Sequence, residues 1–178
     1  MNRRHFLGLA LGMAASPVFA KKKKTHSNEP RILTLHNLHT EEQLRITYRI
    51  GDHYQRDALH KLNHLLRDHR ENKAIAMDPK LFDLLYELQI RSGHTDGKFE
   101  IYSAYRSPKT NAMLRKTSRL VAKHSYHMRG QAVDIHLPGC SNRRLRKIAL
   151  SLRCGGVGYY PRRSFVHVDT GPVRSWRA

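Results

Sequence analysis

Two stretches of sequence decide the fold: SYHMRGQAVD at residues 125–134 and FVHVD at residues 165–169. After Gly130 the sequence QAVDIHL alternates like a strand, which predicts a β-strand with Asp134 on one face. A turn at the glycine carries His127 back over that strand. We expect FVHVD to form a second strand beside the first, so that the two stretches build one site.

The residue types in these stretches predict a metal site. Phe165, His167 and Asp169 share one face of the second strand, which makes His167 a third donor beside His127 and Asp134. Two imidazoles and one carboxylate suit zinc. Catalytic zinc usually has three protein ligands and an open position, whereas structural zinc is closed by four ligands rich in cysteine. The chain has two cysteines, which favours an open site for Zn²⁺.

The pattern SxHxxGxAxD, followed later by a histidine in a short strand, resembles the zinc D-Ala-D-Ala metallopeptidase superfamily, which includes VanX-type dipeptidases, phage endolysins and the hedgehog domain. More closely, the chain resembles the YcbK-type murein endopeptidases of Gram-negative bacteria. Three further pieces carry this likeness: RILTLHNLHTEEQL at 31–44, SAYRSPKTN at 103–111 and FVHVDTGPVRSW at 165–176. The resemblance implies hydrolysis of peptide crosslinks in peptidoglycan by a zinc ion, which polarises the scissile carbonyl and lowers the pKa of water to about 7.

The resemblance also implies roles for residues around the metal. Some relatives have an acidic residue or a histidine just before the last ligand as general base, but this chain has Ser164 and Phe165 there. Asp169 is the nearest remaining candidate for the catalytic base, and it can equally be a residue that orients a ligand. Arg106 is expected to bind a substrate carboxylate through two parallel hydrogen bonds. Ser125 either helps to bind substrate or serves as a turn residue.

The remaining patterns predict an α+β fold, with helices on one side of a mainly antiparallel sheet and the zinc site on that sheet. Alternation predicts a hairpin with strands at 32–36 and 44–50, and apolar spacing predicts a helix over 52–70. A second helix is expected to begin after Asp78 and to end at Gly93. Further predicted elements are a strand over 99–106, a short helix from residue 107, a helix over 141–153 and strands over 156–160 and 165–169.

The two cysteines, Cys140 and Cys154, flank the last predicted helix. A helix between them is about 21 Å long at the usual rise. A disulfide needs Cα atoms within about 7 Å of each other. The pattern therefore predicts no disulfide between them.

The domain organisation follows from length and from the amino terminus. With 178 residues, 39% of them hydrophobic, the chain has room for one domain with one core. Residues 1–20, MNRRHFLGLALGMAASPVFA, have a basic start, an apolar run and a Val-x-Ala ending, which is typical of an export signal, and its Arg pair resembles the twin-arginine type. We expect residues 21–30 to be a basic disordered tail and residues 31–178 to be a single zinc metallopeptidase domain in the periplasm. A general secretory signal and a retained anchor remain open.

The charge of the chain favours an anionic environment. The formal net charge is +19, from 33 basic and 14 acidic residues. Attraction to an anionic cell-wall or membrane surface explains this excess. Nucleic acid is not expected as a partner, because the chain is exported and has no aromatic–basic motif of single-strand binders.

Other functions use the same residues. A D-Ala-D-Ala carboxypeptidase and a non-catalytic zinc-containing cell-wall-binding domain both remain open, and the spacing does not fix which bond is cut. An iron oxygenase also uses two histidines and one carboxylate, but its motif needs a histidine after Asp169, and none follows. The oxygenase is therefore disfavoured.

Overall fold

A computed structural model of the protein describes residues 28–178. The predicted export signal at 1–20 and most of the predicted tail at 21–30 lie outside the described residues. The last residue of that tail, Pro30, is already the first residue of a strand. No helix within residues 28–178 combines the length and the apolar character needed to cross a membrane.

The described chain folds into one mixed sheet with four α-helices, which confirms the α+β class. The sheet has eight strands in the order β3-β2-β1-β4-β5-β7-β6-β8. β1 with β4 and β6 with β8 run parallel, and the other neighbouring strands run antiparallel. In chain order the elements are β1 (Pro30–Asn37), β2 (Gln43–Ile50), β3 (His53–Tyr54), α1 (Arg56–Leu65), α2 (Pro79–Ser92), β4 (Lys98–Ser103), α3 (Pro108–Thr117), β5 (Ala132–His136), α4 (Asn142–Leu152), β6 (Gly156–Tyr160), β7 (Phe165–Asp169) and β8 (Arg174–Arg177).

The predicted hairpin and the second predicted helix are both confirmed. β1 and β2 pair antiparallel. The carboxylate of Asp78 accepts a hydrogen bond from the backbone N–H of Lys80 at the start of α2, which satisfies one of the free amides there. At the other end Gly93 has a φ of 78°, the left-handed conformation that commonly ends a helix.

The helix predicted over 52–70 is wrong at both ends. Gly51 turns the chain with a φ of 55°, so that the next residues pair with β2 as the short strand β3 before α1 starts. After α1 the chain leaves the helix, and Asp68 accepts hydrogen bonds from the N–H groups of Arg70 and Ser107. These long-range and capping hydrogen bonds replace the helical ones, and apolar spacing alone does not reveal them.

The two faces of the sheet have different roles near β5 and β7. Val133 and Ile135 of β5 and Val166 and Val168 of β7 belong to the hydrophobic core. Because successive side chains of a strand point to opposite faces, the residues between them lie on the other face. The helices contribute the following side chains to the core: Ala58, Leu62 and Leu65 of α1, Leu81, Phe82, Leu84, Leu85 and Leu88 of α2, and Leu145 and Ala149 of α4.

Both cysteines are free thiols at the two ends of α4. Cys140 is buried and Cys154 is exposed. The helix between them is eleven residues long, Asn142–Leu152.

Candidate metal centre

His127 lies in a tight 3₁₀ turn, Tyr126–Arg129, directly before β5. The hydroxyl of Ser125 caps this turn by accepting a hydrogen bond from the backbone N–H of His127 at 3.3 Å. Gly130 ends the turn with a φ of 66°, a conformation that glycine adopts without steric cost. A Cβ at this position would lie 2.8 Å from the carbonyl oxygen of Ala76. The turn therefore needs glycine, and it holds His127 against β5.

Asp134 and His167 face each other across β5 and β7, where they are partners in the strand register. The Oδ1 atom of Asp134 lies 2.8 Å from Nδ1 of His167. His127 completes the group, with its Nε2 atom 3.3 Å from Oδ1 of Asp134 and 3.2 Å from Nδ1 of His167. All three side chains are buried. The structure thus brings together the three residues that the sequence predicted as metal ligands, within 4.8 Å of one another.

Hydrogen bonds on the outer sides of the two imidazoles leave lone pairs facing inward. Nδ1 of His127 lies 2.7 Å from the carbonyl oxygen of Ala104. Because a carbonyl only accepts, this nitrogen carries the proton and Nε2 keeps the lone pair. Nε2 of His167 lies 2.9 Å from a carboxylate oxygen of Asp169, and Nδ1 lies 2.8 Å from Oδ1 of Asp134. A proton on Nε2, donated to Asp169, leaves the lone pair of Nδ1 free to face a cation between the three side chains. Two lone pairs and a carboxylate oxygen therefore converge, and such a group is stable around a cation.

The spacing of the donor atoms fits a tetrahedral metal ion. Bonds of about 2.0–2.1 Å from zinc to nitrogen place neighbouring ligands of a tetrahedron about 3.3 Å apart. The separations in this cluster are 3.2, 3.3 and 2.8 Å. Imidazole nitrogens favour zinc and related transition metals over magnesium or calcium. The donor set therefore fits the kind of metal that the sequence predicted.

The electrostatics of the cluster also favour a bound cation. Burial lowers the pKa of His127 to about 4, so its ring is neutral at neutral pH. Burial alone would raise the pKa of Asp134, but the neighbouring imidazoles outweigh it and hold that pKa well below its usual range. Burial opposes protonation of His167 as well, yet the carboxylates of Asp134 and Asp169 at its two nitrogens raise its pKa. The cluster thus contains a buried, ionised carboxylate, which Arg106 and His167 stabilise in the protein alone and which a bound cation would stabilise further.

Asp169, predicted as either a base or an orienting residue, is fully buried behind His167. Its Oδ1 atom accepts hydrogen bonds from the backbone N–H groups of Gly156 and Gly171 at 3.0 and 2.9 Å. Arg174 donates to both carboxylate oxygens, at 3.0 and 2.6 Å. Burial alone would raise the pKa of this carboxyl, but the hydrogen bonds from His167, Arg174 and Gly156 hold it well below its usual range. Each oxygen of Asp169 is therefore already occupied by at least two donors.

The two residues predicted to bind substrate also lie at the cluster. Arg106 donates from Nη2 to Oδ2 of Asp134 at 2.9 Å and from Nε to the hydroxyl of Ser103 at 2.8 Å. Arg106 therefore holds the carboxylate oxygen that does not face the imidazoles. The hydroxyl of Ser125 is engaged in the cap of the 3₁₀ turn, and its side chain lies in the wall of the adjoining cavity.

A cavity of about 370 Å³, which we call the site cavity, gives access to the cluster. His127, Asp134 and His167 all contribute to its wall, whereas Asp169 does not. Aromatic residues form another part of the wall. The ring of Tyr160 stacks on that of Phe165, with centroids 4.5 Å apart. Nε1 of Trp176 donates a 2.9 Å hydrogen bond to the hydroxyl of Tyr160, so these rings hold one another in place. A peptide can thus reach the donor atoms from solvent.

The sequence did not identify Arg174 as part of the site. This residue lies in the edge strand β8, which pairs parallel with β6. Its guanidinium lies over the rings of Tyr126 and Trp176, at 4.8 and 5.2 Å from their centroids, while it binds Asp169. Arg174 lies within the stretch FVHVDTGPVRSW, which carried the family resemblance. The residue spacing in that stretch does not show that the chain returns to the sheet after Gly171.

Two imidazoles and a carboxylate, gathered on the sheet of an α+β fold and open to a cavity, define a metallopeptidase of the zinc D-Ala-D-Ala peptidase type. The chain belongs to the family described as peptidoglycan L,D-endopeptidase MepK, whose model matches residues 25–176. This confirms the resemblance drawn from the sequence motifs.

Individual relatives cover nearly the whole chain. It is 51% identical over 180 residues to the peptidoglycan L,D-endopeptidase MepK of Escherichia coli (strain K12), an alignment that covers 98% of this chain and 97% of the relative. It is 42% identical over 181 residues to a probable peptidoglycan L,D-endopeptidase MepK of Haemophilus influenzae, covering 99% and 96%. No solved structure matches the chain significantly.

Proposed function

We propose that the protein is a zinc-dependent peptidoglycan endopeptidase that hydrolyses L,D-peptide crosslinks between stem peptides. The observation that carries this proposal is the convergence of His127, Asp134 and His167 at the wall of the site cavity. Membership of the family, and the names of the relatives, supply the substrate class. The bond between two diaminopimelate residues is an L,D bond, because it joins the L-centre carbonyl of one residue to the D-centre amine of the other.

Nε2 of His127, Oδ1 of Asp134 and Nδ1 of His167 would hold the zinc ion. The bound metal supplies Lewis-acid polarisation of a carbonyl and makes water acidic enough to give hydroxide near pH 7. Arg106 keeps Asp134 in place by binding its second oxygen. Nη1 of Arg106 has no hydrogen-bond partner among residues 28–178, which leaves it available for a substrate carboxylate.

Asp169 acts as a positioning residue in this proposal. Its hydrogen bond to Nε2 of His167 fixes the tautomer and the orientation of the ring, so that Nδ1 points to the metal position. Arg174 and two backbone N–H groups hold the carboxylate in turn. Since both oxygens are occupied and neither reaches the site cavity, Asp169 is poorly placed to take a proton from water.

The proton acceptor in this proposal is His124. It is an exposed imidazole in the wall of the site cavity, three residues before His127. No hydrogen bond or ion pair engages its side chain within the described part of the chain. An imidazole can take a proton from water on one ring nitrogen and pass it to the leaving amine.

Residues 1–20 would export the protein to the periplasm by the twin-arginine route, where peptidoglycan lies. Removal of residues 1–20 takes away two arginines and no acids, so 31 basic and 14 acidic residues would leave a net charge of +17 that draws the protein to the anionic cell wall or membrane surface. Nucleic acid is not part of this proposal.

The test uses purified crosslinked muropeptide dimers and mass spectrometry. We expect zinc-loaded protein to convert dimers with a diaminopimelate–diaminopimelate bond to monomers, and His127→Ala to leave them intact. His60→Ala, an exposed histidine on α1, is the matched control and should retain activity. Cleavage of a D-Ala–diaminopimelate bond instead would reject the L,D assignment. If zinc-loaded protein leaves every dimer intact, the endopeptidase proposal fails and a zinc-containing binding domain replaces it.

A further inference from the structure

A second cavity adjoins the site cavity, and Asp134 contributes to the walls of both. This cavity, which we call the Arg70 cavity, has a volume of about 390 Å³. Arg70, His39 and Tyr102 contribute to the part of its wall that the site cavity does not share. The two cavities share five residues: Arg106, Val121, Asp134, Arg163 and Phe165. Because they share these residues, the two cavities form one continuous groove beside the donor cluster.

The Arg70 cavity carries positive charge that no acidic group among the described residues neutralises. Arg70 and Arg163 are exposed, and neither guanidinium forms a hydrogen bond or an ion pair with any residue from 28 to 178. The one carboxylate in the cavity wall is Asp134, which already binds Arg106 and His167. Two free guanidinium groups in a concave wall without a free acid favour an anionic ligand.

Acidic residues near Arg70 in sequence do not compensate its charge. The carboxylate of Asp68 accepts hydrogen bonds from backbone N–H groups, including those of Arg70 itself and Ser107. Glu71 forms ion pairs with Lys73 and Lys109. The guanidinium of Arg70 is therefore left to bind a ligand.

The proposed substrate presents anions on both sides of the bond that is cut. In a crosslink between two diaminopimelate residues, the residue that supplies the amine keeps a carboxylate on the carbon next to the scissile nitrogen. The residue that supplies the carbonyl keeps another carboxylate at the far end of its side chain. Arg106 stands in the wall shared by both cavities and can bind one of these groups. The other needs a second cationic site along the groove.

We infer that the Arg70 cavity is a subsite for one of the two diaminopimelate carboxylates, with Arg70 and Arg163 as the residues that bind it. This inference rests on the proposed function and adds a requirement to it: the enzyme reads the charge of the crosslinking residue on both sides of the scissile bond. A guanidinium binds a carboxylate through directed, charge-assisted hydrogen bonds, so an amide in place of the carboxylate removes much of the attraction.

The test compares three crosslinked dimers: the unmodified dimer and two dimers in which one or the other free diaminopimelate carboxylate is an amide. Rates of hydrolysis are measured for the wild type, Arg70→Ala, Arg163→Ala and the control Arg143→Ala. Arg143 is an exposed arginine on α4 that lines neither cavity of the groove. Thermal unfolding followed by circular dichroism checks that each variant is folded.

We expect one of the two amidated dimers to be a substrate poorer by roughly 10–100-fold in kcat/KM for the wild type, the range that one lost charged contact gives. Arg70→Ala and Arg163→Ala should lower kcat/KM for the unmodified dimer and should no longer distinguish it from that amidated dimer. Both variants should still distinguish the other amidated dimer, because Arg106 is intact. Arg143→Ala should behave as the wild type.

The inference is overturned if Arg70→Ala and Arg163→Ala keep the wild-type preference for both free carboxylates. Binding of the same dimers, measured by calorimetry with the same variants, gives a second readout that does not require cleavage. If the wild type cleaves no dimer, the proposed function fails, and the ratio of dissociation constants for free and amidated dimers then decides the inference separately.

Discussion

Replacing Asp169 with asparagine separates the two roles considered for this residue. Asparagine keeps the shape of the side chain but removes the charge that holds Nε2 of His167 and the guanidinium of Arg174. Loss of a group that orients a metal-bound histidine typically weakens metal binding by about 10–100-fold. This corresponds to about 1.4–2.8 kcal/mol of metal-binding free energy. The buried hydrogen bonds lost from Asp169 lower the free energy of unfolding by about 1–3 kcal/mol in addition.

The assay measures zinc affinity and turnover independently. Competition with a chromophoric chelator gives the zinc dissociation constant, and hydrolysis of a crosslinked dimer at saturating zinc gives kcat. For Asp169→Asn we expect the affinity loss above and a fall in kcat of less than about tenfold once zinc is saturating. A catalytic base would give the opposite result, unchanged zinc affinity with a fall in kcat of about 10²–10⁴-fold. That opposite result would refute the positioning role. Asp96→Asn, at a carboxylate with 88% of its side chain exposed, is the matched control.

Three further predictions concern the turn, the proton acceptor and the thiols. Gly130→Ala places a methyl group on a residue with a φ of 66°, 2.8 Å from the carbonyl oxygen of Ala76. It should therefore lower the free energy of unfolding, measured in urea, by about 1–3 kcal/mol. An unchanged urea midpoint of unfolding would show that the turn relaxes without cost. His124→Gln should reduce kcat by about 10²-fold or more with zinc affinity intact, and full activity would remove His124 from the mechanism. A maleimide reagent should modify Cys154 in the folded protein and Cys140 only after unfolding, because Cys140 is buried and burial raises the pKa of its thiol; equal modification of both would contradict this.

The grouping of His127, Asp134 and His167 could be predicted because local patterns place each of them. The alternation of β5 and β7 placed Asp134 and His167 on strand faces, and Gly130 marked the turn that returns His127 to them. The ligand preferences of zinc then indicated which two of the thirteen histidines of the chain belong with Asp134. The hairpin of β1 and β2 and the caps of α2 were also readable, because their signals lie within a few residues of each other.

What the sequence left open depends on contacts between distant residues. The hydrogen bonds that support the proposed positioning role of Asp169 come from Gly156 and Arg174, which lie thirteen and five residues away. The parallel pairing of β1 with β4 and of β6 with β8 has no marker in local alternation, because both directions of pairing use the same period of two. The Arg70 cavity is likewise formed from separate segments of the chain, so that Arg70 and Arg163 could not be told apart from the other basic residues.

The most direct test of the central claim joins metal content to cleavage of one bond. The protein is stripped with a chelator, reloaded with one equivalent of zinc, and incubated with a dimer crosslinked between two diaminopimelate residues. We expect one zinc per chain, loss of cleavage on stripping and its return on reloading, with neither bound zinc nor cleavage in His127→Ala. Full cleavage by stripped protein, or one zinc per chain retained by His127→Ala, would contradict a metal centre formed by His127, Asp134 and His167.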